Sequence, residues 1–322
     1  MAKTTLVAAL AVGLALTAAA ENLLTVKGIP YYEEGTPLND DMKEMCLLDV
    51  RYDKDAKPGQ PVVVWLHGGG LEIGKRNFIS LANRSIVQVA ADYRLMRETK
   101  KVKPEDCIRD AAAAVAWTFR HIAEYGGDPK KVYLSGLSAG GYLTFMVGCD
   151  PKPLSEFGFT NMDLAGLVPI SGQVTKHFRV RYYQEDGKSE INWTDYDRLM
   201  VHGKYFIPKV DEFAPLSLVA NKMPPIVAIC GSPIRDMAGR PEENRFFVST
   251  LRALGKKDCW YVEVPYADHG GAYRMGYPYI EELIRARCPS APRTDSAWRS
   301  TSTGRRRSSA TWTARCSWAP IR

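Results

Sequence analysis

The run Lys131-Val132-Tyr133-Leu134-Ser135-Gly136-Leu137-Ser138-Ala139-Gly140-Gly141 constrains the fold more than any other stretch of this 322-residue chain. It reads as an apolar strand, a very tight turn and the start of a helix. Residues 136–140 spell G-x-S-x-G. Strand and helix nearly collide at such a turn, so a Cβ two residues either side of Ser138 would clash. The turn forces the serine backbone into a sparsely populated conformation and aims its hydroxyl away from the packed sheet. Glycine and serine are common, so the pattern alone is also compatible with a purely structural turn, and its surroundings decide.

Upstream, the apolar run Pro61–Leu66 leads into His67-Gly68-Gly69-Gly70. Glycines at that point let the backbone approach a ligand and present amides to a developing negative charge. Gly68 and Gly69 are the candidate oxyanion donors from this loop, with Gly70 as a further option, and Ala139 N–H is the candidate from the serine turn.

The rest of the chain alternates between strand and helix patterns. Strands are predicted at 23–32, 45–52, 61–66, 86–93, 131–137, 164–170, 226–229 and 260–264. Helices are predicted at 78–85, from Pro104 to Ile122, at 140–147, 242–254 and 279–287. The alternation predicts an α/β fold: a mostly parallel eight-stranded sheet flanked by helices, with an antiparallel N-terminal edge. Residues 172–222 break the rhythm with a polar, aromatic composition. They are expected to form a cap-like insertion over the strand C-termini, where Tyr182, Tyr183 and Trp193 are candidates for holding an aromatic acyl group or a sugar ring.

Both ends differ from the body. Residues 1–20 have a basic start, an apolar stretch and Ala18-Ala19-Ala20 before Glu21, the form of a secretory signal peptide. The expected location is therefore secreted or periplasmic. The catalytic domain is expected to span 21–289. From Ser290 to Arg322 there are seven arginines against one aspartate, and with Lys3 they account for the whole formal net charge of +7. Disorder is predicted there. The nearly neutral body has no basic excess pointing to nucleic acid, and no apolar span beyond the first residues suggests a membrane helix. Seven cysteines without a C-x-x-C give no zinc or redox motif, and no disulfide pairing follows from their spacing.

Serine is a poor nucleophile at neutral pH without a base and a carboxylate to orient that base. His269, in Asp268-His269-Gly270-Gly271 after the last predicted strand, is the candidate base. Asp236 is the candidate acid, following the 226–229 strand, with Asp268 as its rival. His202 is a distant second choice for the base.

Together, His67-Gly68-Gly69-Gly70, Asp92-Tyr93-Arg94-Leu95, Tyr125-Gly126-Gly127-Asp128-Pro129, Gly136-Leu137-Ser138-Ala139-Gly140-Gly141 and Asp268-His269-Gly270 resemble the α/β-hydrolase superfamily, near the hormone-sensitive-lipase-type and bacterial carbohydrate esterases. The likeness covers roughly residues 23–288. Cys46-Leu47-Leu48-Asp49-Val50 and Asp236–Asn244 look most like exported acetyl-xylan and feruloyl esterases. Gly231-Ser232-Pro233 departs from the Gly-Asp that relatives often carry there, which leaves the acid's position open. The resemblance implies a Ser138–His269–Asp236 acyl-enzyme mechanism on acylated oligo- or polysaccharide, with no metal or cofactor. A general short-chain carboxylesterase, an arylformamidase or peptidase, and a non-catalytic binding protein are the alternatives.

Overall fold

Eight strands form one sheet: β1 (Leu23–Pro30), β2 (Leu47–Asp53), β3 (Gln60–Leu66), β4 (Val87–Ala91), β5 (Gly127–Leu137), β6 (Gly166–Ile170), β7 (Ile226–Cys230) and β8 (Cys259–Glu263). The computed structural model describes residues 22–97, 101–181 and 209–287. The strand order is β1-β2-β4-β3-β5-β6-β7-β8. β1, β2 and β4 pair antiparallel, and every pairing from β4 through β8 is parallel. The predicted mostly parallel sheet with an antiparallel N-terminal edge is what forms.

The sequence of β3 shows why the sheet is buried on both sides. Val62, Val64 and Leu66 point into one apolar cluster, and Val63 and Trp65 into another on the opposite face, as the two-residue strand period requires. The first cluster is closed by helices α2 (Pro104–His121) and α3 (Ala139–Cys149), the second largely by α6 (His269–Arg287). The shorter α1 (Asp40–Met45) and α4 (Lys152–Ser155) and the amphipathic α5 (Arg240–Ala253) complete the layers. Each fully buried aliphatic or aromatic side chain here contributes about 1.5–3 kcal/mol relative to exposure.

Two local expectations fail. Residues 78–85 form no helix. Side chains outside the segment take amides a helix would need: Gln88 Oε1 accepts from Ile79 N at 3.1 Å, and Glu281 Oε1 accepts from Ala82 N and from Asn83 N, the latter at 3.4 Å. The last helix starts at His269, not Tyr279, and runs through Pro278. Asp268 makes the earlier start favourable. Its side chain accepts from Gly271 N at 2.6 Å, capping an amide that the helix itself leaves open, and its carbonyl takes the first helical bond from Ala272 N at 2.8 Å.

The expected signal peptide (1–20), the tail (290–322) and the middle of the insertion, including Tyr182, Tyr183, Trp193 and His202, lie outside the described residues. The insertion's described beginning is buried from Gln173 to Arg181. Arg179 there pairs with Glu72 at 2.5 Å, which seats it against the glycine loop after β3. Cys46, Cys107, Cys149, Cys230 and Cys259 are free and buried. Among the described residues, no helix is long and apolar enough to cross a membrane.

Candidate active site

Ser138 stands between β5 and α3 with φ 55° and ψ −113°, a left-handed conformation that non-glycine residues rarely adopt. The neighbouring glycines explain how the turn closes. A Cβ on Gly136 would lie 2.5 Å from the Gly140 backbone and 2.8 Å from Leu66 O, and one on Gly140 would lie 2.6 Å from His67 O. The turn is thus pressed against the end of β3, beside the glycine loop. Ala139 is the first residue of α3, so its N–H has no partner within the helix.

The glycine loop is held from behind. His67 Nδ1 donates to Gly68 O at 2.6 Å, and Gly69 O accepts from Glu72 N and Ile73 N, each at 3.0 Å. C=O and N–H lie on opposite edges of a planar trans peptide. Fixing the Gly68 carbonyl therefore fixes the Gly69 N–H on the other side. Gly69 has φ +117° and has backbone of Ile73 where a Cβ would go. Burial pushes the pKa of His67 down, and that outweighs the opposing pull of Gly68 O and Asp92. The ring is neutral at neutral pH, with its proton on the nitrogen that faces the carbonyl.

The D-Y-R segment after β4 supports this loop. Tyr93 stacks on His67 with ring centroids 4.4 Å apart, and its hydroxyl donates to His67 O at 2.8 Å. Asp92 accepts from both the backbone and the guanidinium of Arg76, whose Nε also reaches Asp49 at 2.8 Å. Arg94 pairs with the fully buried Asp110 through Nε at 2.7 Å and Nη2 at 2.8 Å, tying the segment to α2.

The two late loops meet. His269 opens α6, and its Nδ1 donates to Asp236 Oδ1 at 2.7 Å. The other carboxylate oxygen accepts from Ser171 Oγ and from Gly231 N, both at 2.7 Å. Burial alone would raise the Asp236 pKa. The hydrogen bond and charge of His269, with Ser171 and Gly231, outweigh it and hold the carboxyl down at about 2. Ser138, His269 and Gly68–Gly70 line a single cavity of about 560 Å³.

The Gly231-Ser232-Pro233 departure also has an account. Ser232 N donates to Ala267 O, anchoring the segment to the loop after β8, and Asp236 N donates to Ser232 O, closing a turn that folds the chain back on the end of β7; both bonds are 2.9 Å. An acid five residues past Gly231 thus returns to contact the Gly231 amide. Asp268 instead caps α6.

Ser138 at the β5–α3 turn and His269 after β8, on this sheet order, place the chain among the α/β-hydrolases. A family model described as BD-FAE matches residues 48–233, more than half of the chain, and the chain belongs to that family. It is 30% identical over 247 residues to Esterase LipC of Mycobacterium tuberculosis, covering 70% of this chain and 56% of that protein. It is 32% identical over 230 residues to a probable isoprenylcysteine alpha-carbonyl methylesterase, ICMEL1, of Arabidopsis thaliana, covering 65% of this chain and 45% of that one. The chain spans about half the length of these curated relatives. Among solved structures, Thermogutta terrifontis esterase 2 phosphoramylated by tabun aligns with TM-score 0.60 at 20% identity, covering 84% of this chain and 97% of that one. A truncated carbohydrate esterase from gut microbiota aligns with TM-score 0.57 at 14% identity, covering 81% and 96%. At these identities the structures speak for the fold.

Several residues around the cavity were not among the sequence candidates. Gly74 has φ +119°, and a Cβ there would strike His67 Nδ1 and lie 2.5 Å from Gly68 O. Ser171, just past the end of β6, donates to Asp236. His177 and Phe178, at the start of the insertion, and Arg240 and Tyr273, on α5 and α6, line the cavity. Gly74 carried a readable signal as an isolated glycine just beyond the glycine loop, and His177 and Phe178 belong to the aromatic insertion expected over the strand C-termini.

Proposed function

We propose that the protein is a carboxylic ester hydrolase working through an acyl-enzyme. Ser138 attacks the ester carbonyl as His269 takes its proton, and Asp236 holds the imidazole in the required tautomer and stabilises its charged form. The Ala139 N–H and the Gly69 N–H, with Gly68 beside it, stabilise the oxyanion. His269 then protonates the departing alcohol, and water releases the acid. The observation that carries this reading is that Ser138 and the Asp236-anchored His269 open onto one cavity. Replacing Ser138 with alanine should lower kcat on 4-nitrophenyl acetate by about 10⁶. A Ser138→Ala enzyme that keeps its turnover would end the proposal.

The substrate class we favour is acetyl or feruloyl ester on plant polysaccharide, met by an exported enzyme. Its support is the leader-like start, the likeness of Asp236–Asn244 to carbohydrate esterases and membership of the BD-FAE family. A kinetic panel of acetylated xylan, methyl ferulate, simple 4-nitrophenyl esters and a matched amide tests it. Preference for the amide, or for short aliphatic esters over both carbohydrate-type substrates, would overturn it. The N-terminal sequence of the exported protein tests cleavage after Ala20.

A further inference from the structure

Tyr273 lies four residues beyond His269 on α6. That spacing puts the two side chains on one helix face, about 6 Å apart along the axis. Both line the cavity. The half-buried Tyr273 ring is fixed from behind by Trp65, centroids 5.6 Å apart, and edge-on by Tyr277 at 5.0 Å. Trp65 is itself fixed in the sheet, two residues before His67, and is almost wholly buried. The Tyr273 hydroxyl accepts from Asn77 Nδ2 at 3.2 Å, so the loop following the glycines is joined to the helix carrying the imidazole. The result is a rigid aromatic wall with a polar edge, built on the same two elements that carry His67 and His269.

In an acyl transfer run by Ser138, the imidazole delivers its proton to the oxygen of the departing alcohol, so the alcohol moiety lies on the His269 side. The next surface along α6 is the Tyr273 ring. A flat π face with a hydroxyl and an amide at its rim suits a ring-shaped group: C–H bonds of a sugar against the ring, its hydroxyls at the edge. We propose that Tyr273, backed by Trp65 and flanked by Asn77, is the subsite for a cyclic alcohol moiety of the ester, with a sugar ring as its natural class. A linear alcohol lacks the area to use it. This assignment rests on the ester-hydrolase reading above.

The test holds the acyl group constant as acetyl and varies the alcohol: an acetylated methyl xyloside, phenyl acetate and ethyl acetate. Tyr273→Ala should lower kcat/KM for the two ring alcohols about tenfold more than for ethyl acetate, with the difference in KM. Tyr273→Phe should keep the preference for phenyl acetate and lose part of that for the xyloside. If Tyr273→Ala does not fold, Tyr273→Leu replaces it. Equal losses on all three esters, or an unchanged preference in a folded variant without the ring, would overturn the subsite. If the wild-type protein cleaves none of the three and no methyl ferulate, the ester reading fails instead. Calorimetric binding of methyl xyloside then decides: weaker in Tyr273→Ala upholds the subsite, and equal affinity overturns it.

Discussion

The imidazole of His269 donates from Nδ1 to Oδ1 of Asp236 across 2.7 Å, joining the loops that follow β8 and β7. An amide at 236 would fill the same space but carry no charge. The ring would lose the partner that fixes its proton on Nδ1 and stabilises its charged form. Asp236→Asn should therefore lower kcat by about 10⁴ at neutral pH while the protein stays folded. Steady-state ester hydrolysis reads this directly. A loss of less than about tenfold would remove Asp236 from the acid's role.

The same carboxylate links the site to acid stability. Its folded pKa of about 2 lies below the roughly 3.9 of an unfolded aspartate. The unfolded chain binds the proton more tightly, so the ionised group stabilises the fold above that range. The contribution is about 2–3 kcal/mol and disappears as pH falls through the folded value near 2. Denaturant unfolding between about pH 5 and pH 2 should show a loss in the wild type that Asp236→Asn does not share. Parallel curves for the two proteins would contradict it.

Ser171 is the residue that secures the second carboxylate oxygen. It follows β6 in a left-handed conformation, φ 45°, with its side chain fully buried. Its hydroxyl donates to Asp236, and its carbonyl accepts from the buried guanidinium of Arg240. Ser171→Ala removes a donor and leaves Gly231 N alone on that oxygen. The Asp236 pKa should rise, moving the acid-unfolding midpoint to higher pH. Ser171→Thr, which keeps the hydroxyl, should move it less. Identical midpoints in wild type and Ser171→Ala would show that the hydroxyl does not support the acid.

The parts of this site that could be read in the sequence are those whose chemistry leaves few choices. G-x-S-x-G and the H-G-G-G loop each require glycine for space, and Asp236 was the one carboxylate between the end of β7 and the helix of α5. What escaped depends on contacts far apart in the chain. Ser171 looked only like the end of a strand, because its partner is 65 residues away. The 78–85 segment reads as a short helix, yet Gln88 accepts from Ile79 N and Glu281 from Asn83 N. The early start of α6 was hidden by Gly270, Gly271, Gly276 and Pro278, all poor helix residues. Tertiary fit overrides that propensity. Gly276 lets the helix approach β6, where a Cβ would come within 3.0 Å of Ile170 Cδ1.

Gly74 gives the most direct test of how the glycine loop, proposed to hold the oxyanion, is kept in place. Its Cα faces the bond between His67 Nδ1 and Gly68 O, and a methyl group there would drive the two apart. Gly74→Ala should release the Gly68 carbonyl and let the Gly69 N–H turn from its fixed direction. Loss of one aligned oxyanion donor lowers kcat by about 10²–10³ with little change in KM. Some of any effect could come from placing alanine at positive φ, a cost of about 1–2 kcal/mol in stability. Gly35→Ala supplies that comparison, since Gly35 has φ +86° and no atom within 4 Å of the point a Cβ would occupy. It should lose similar stability and keep its turnover. Equal kcat in the two variants would show that the loop tolerates the intrusion and that Gly74 is there for the turn alone.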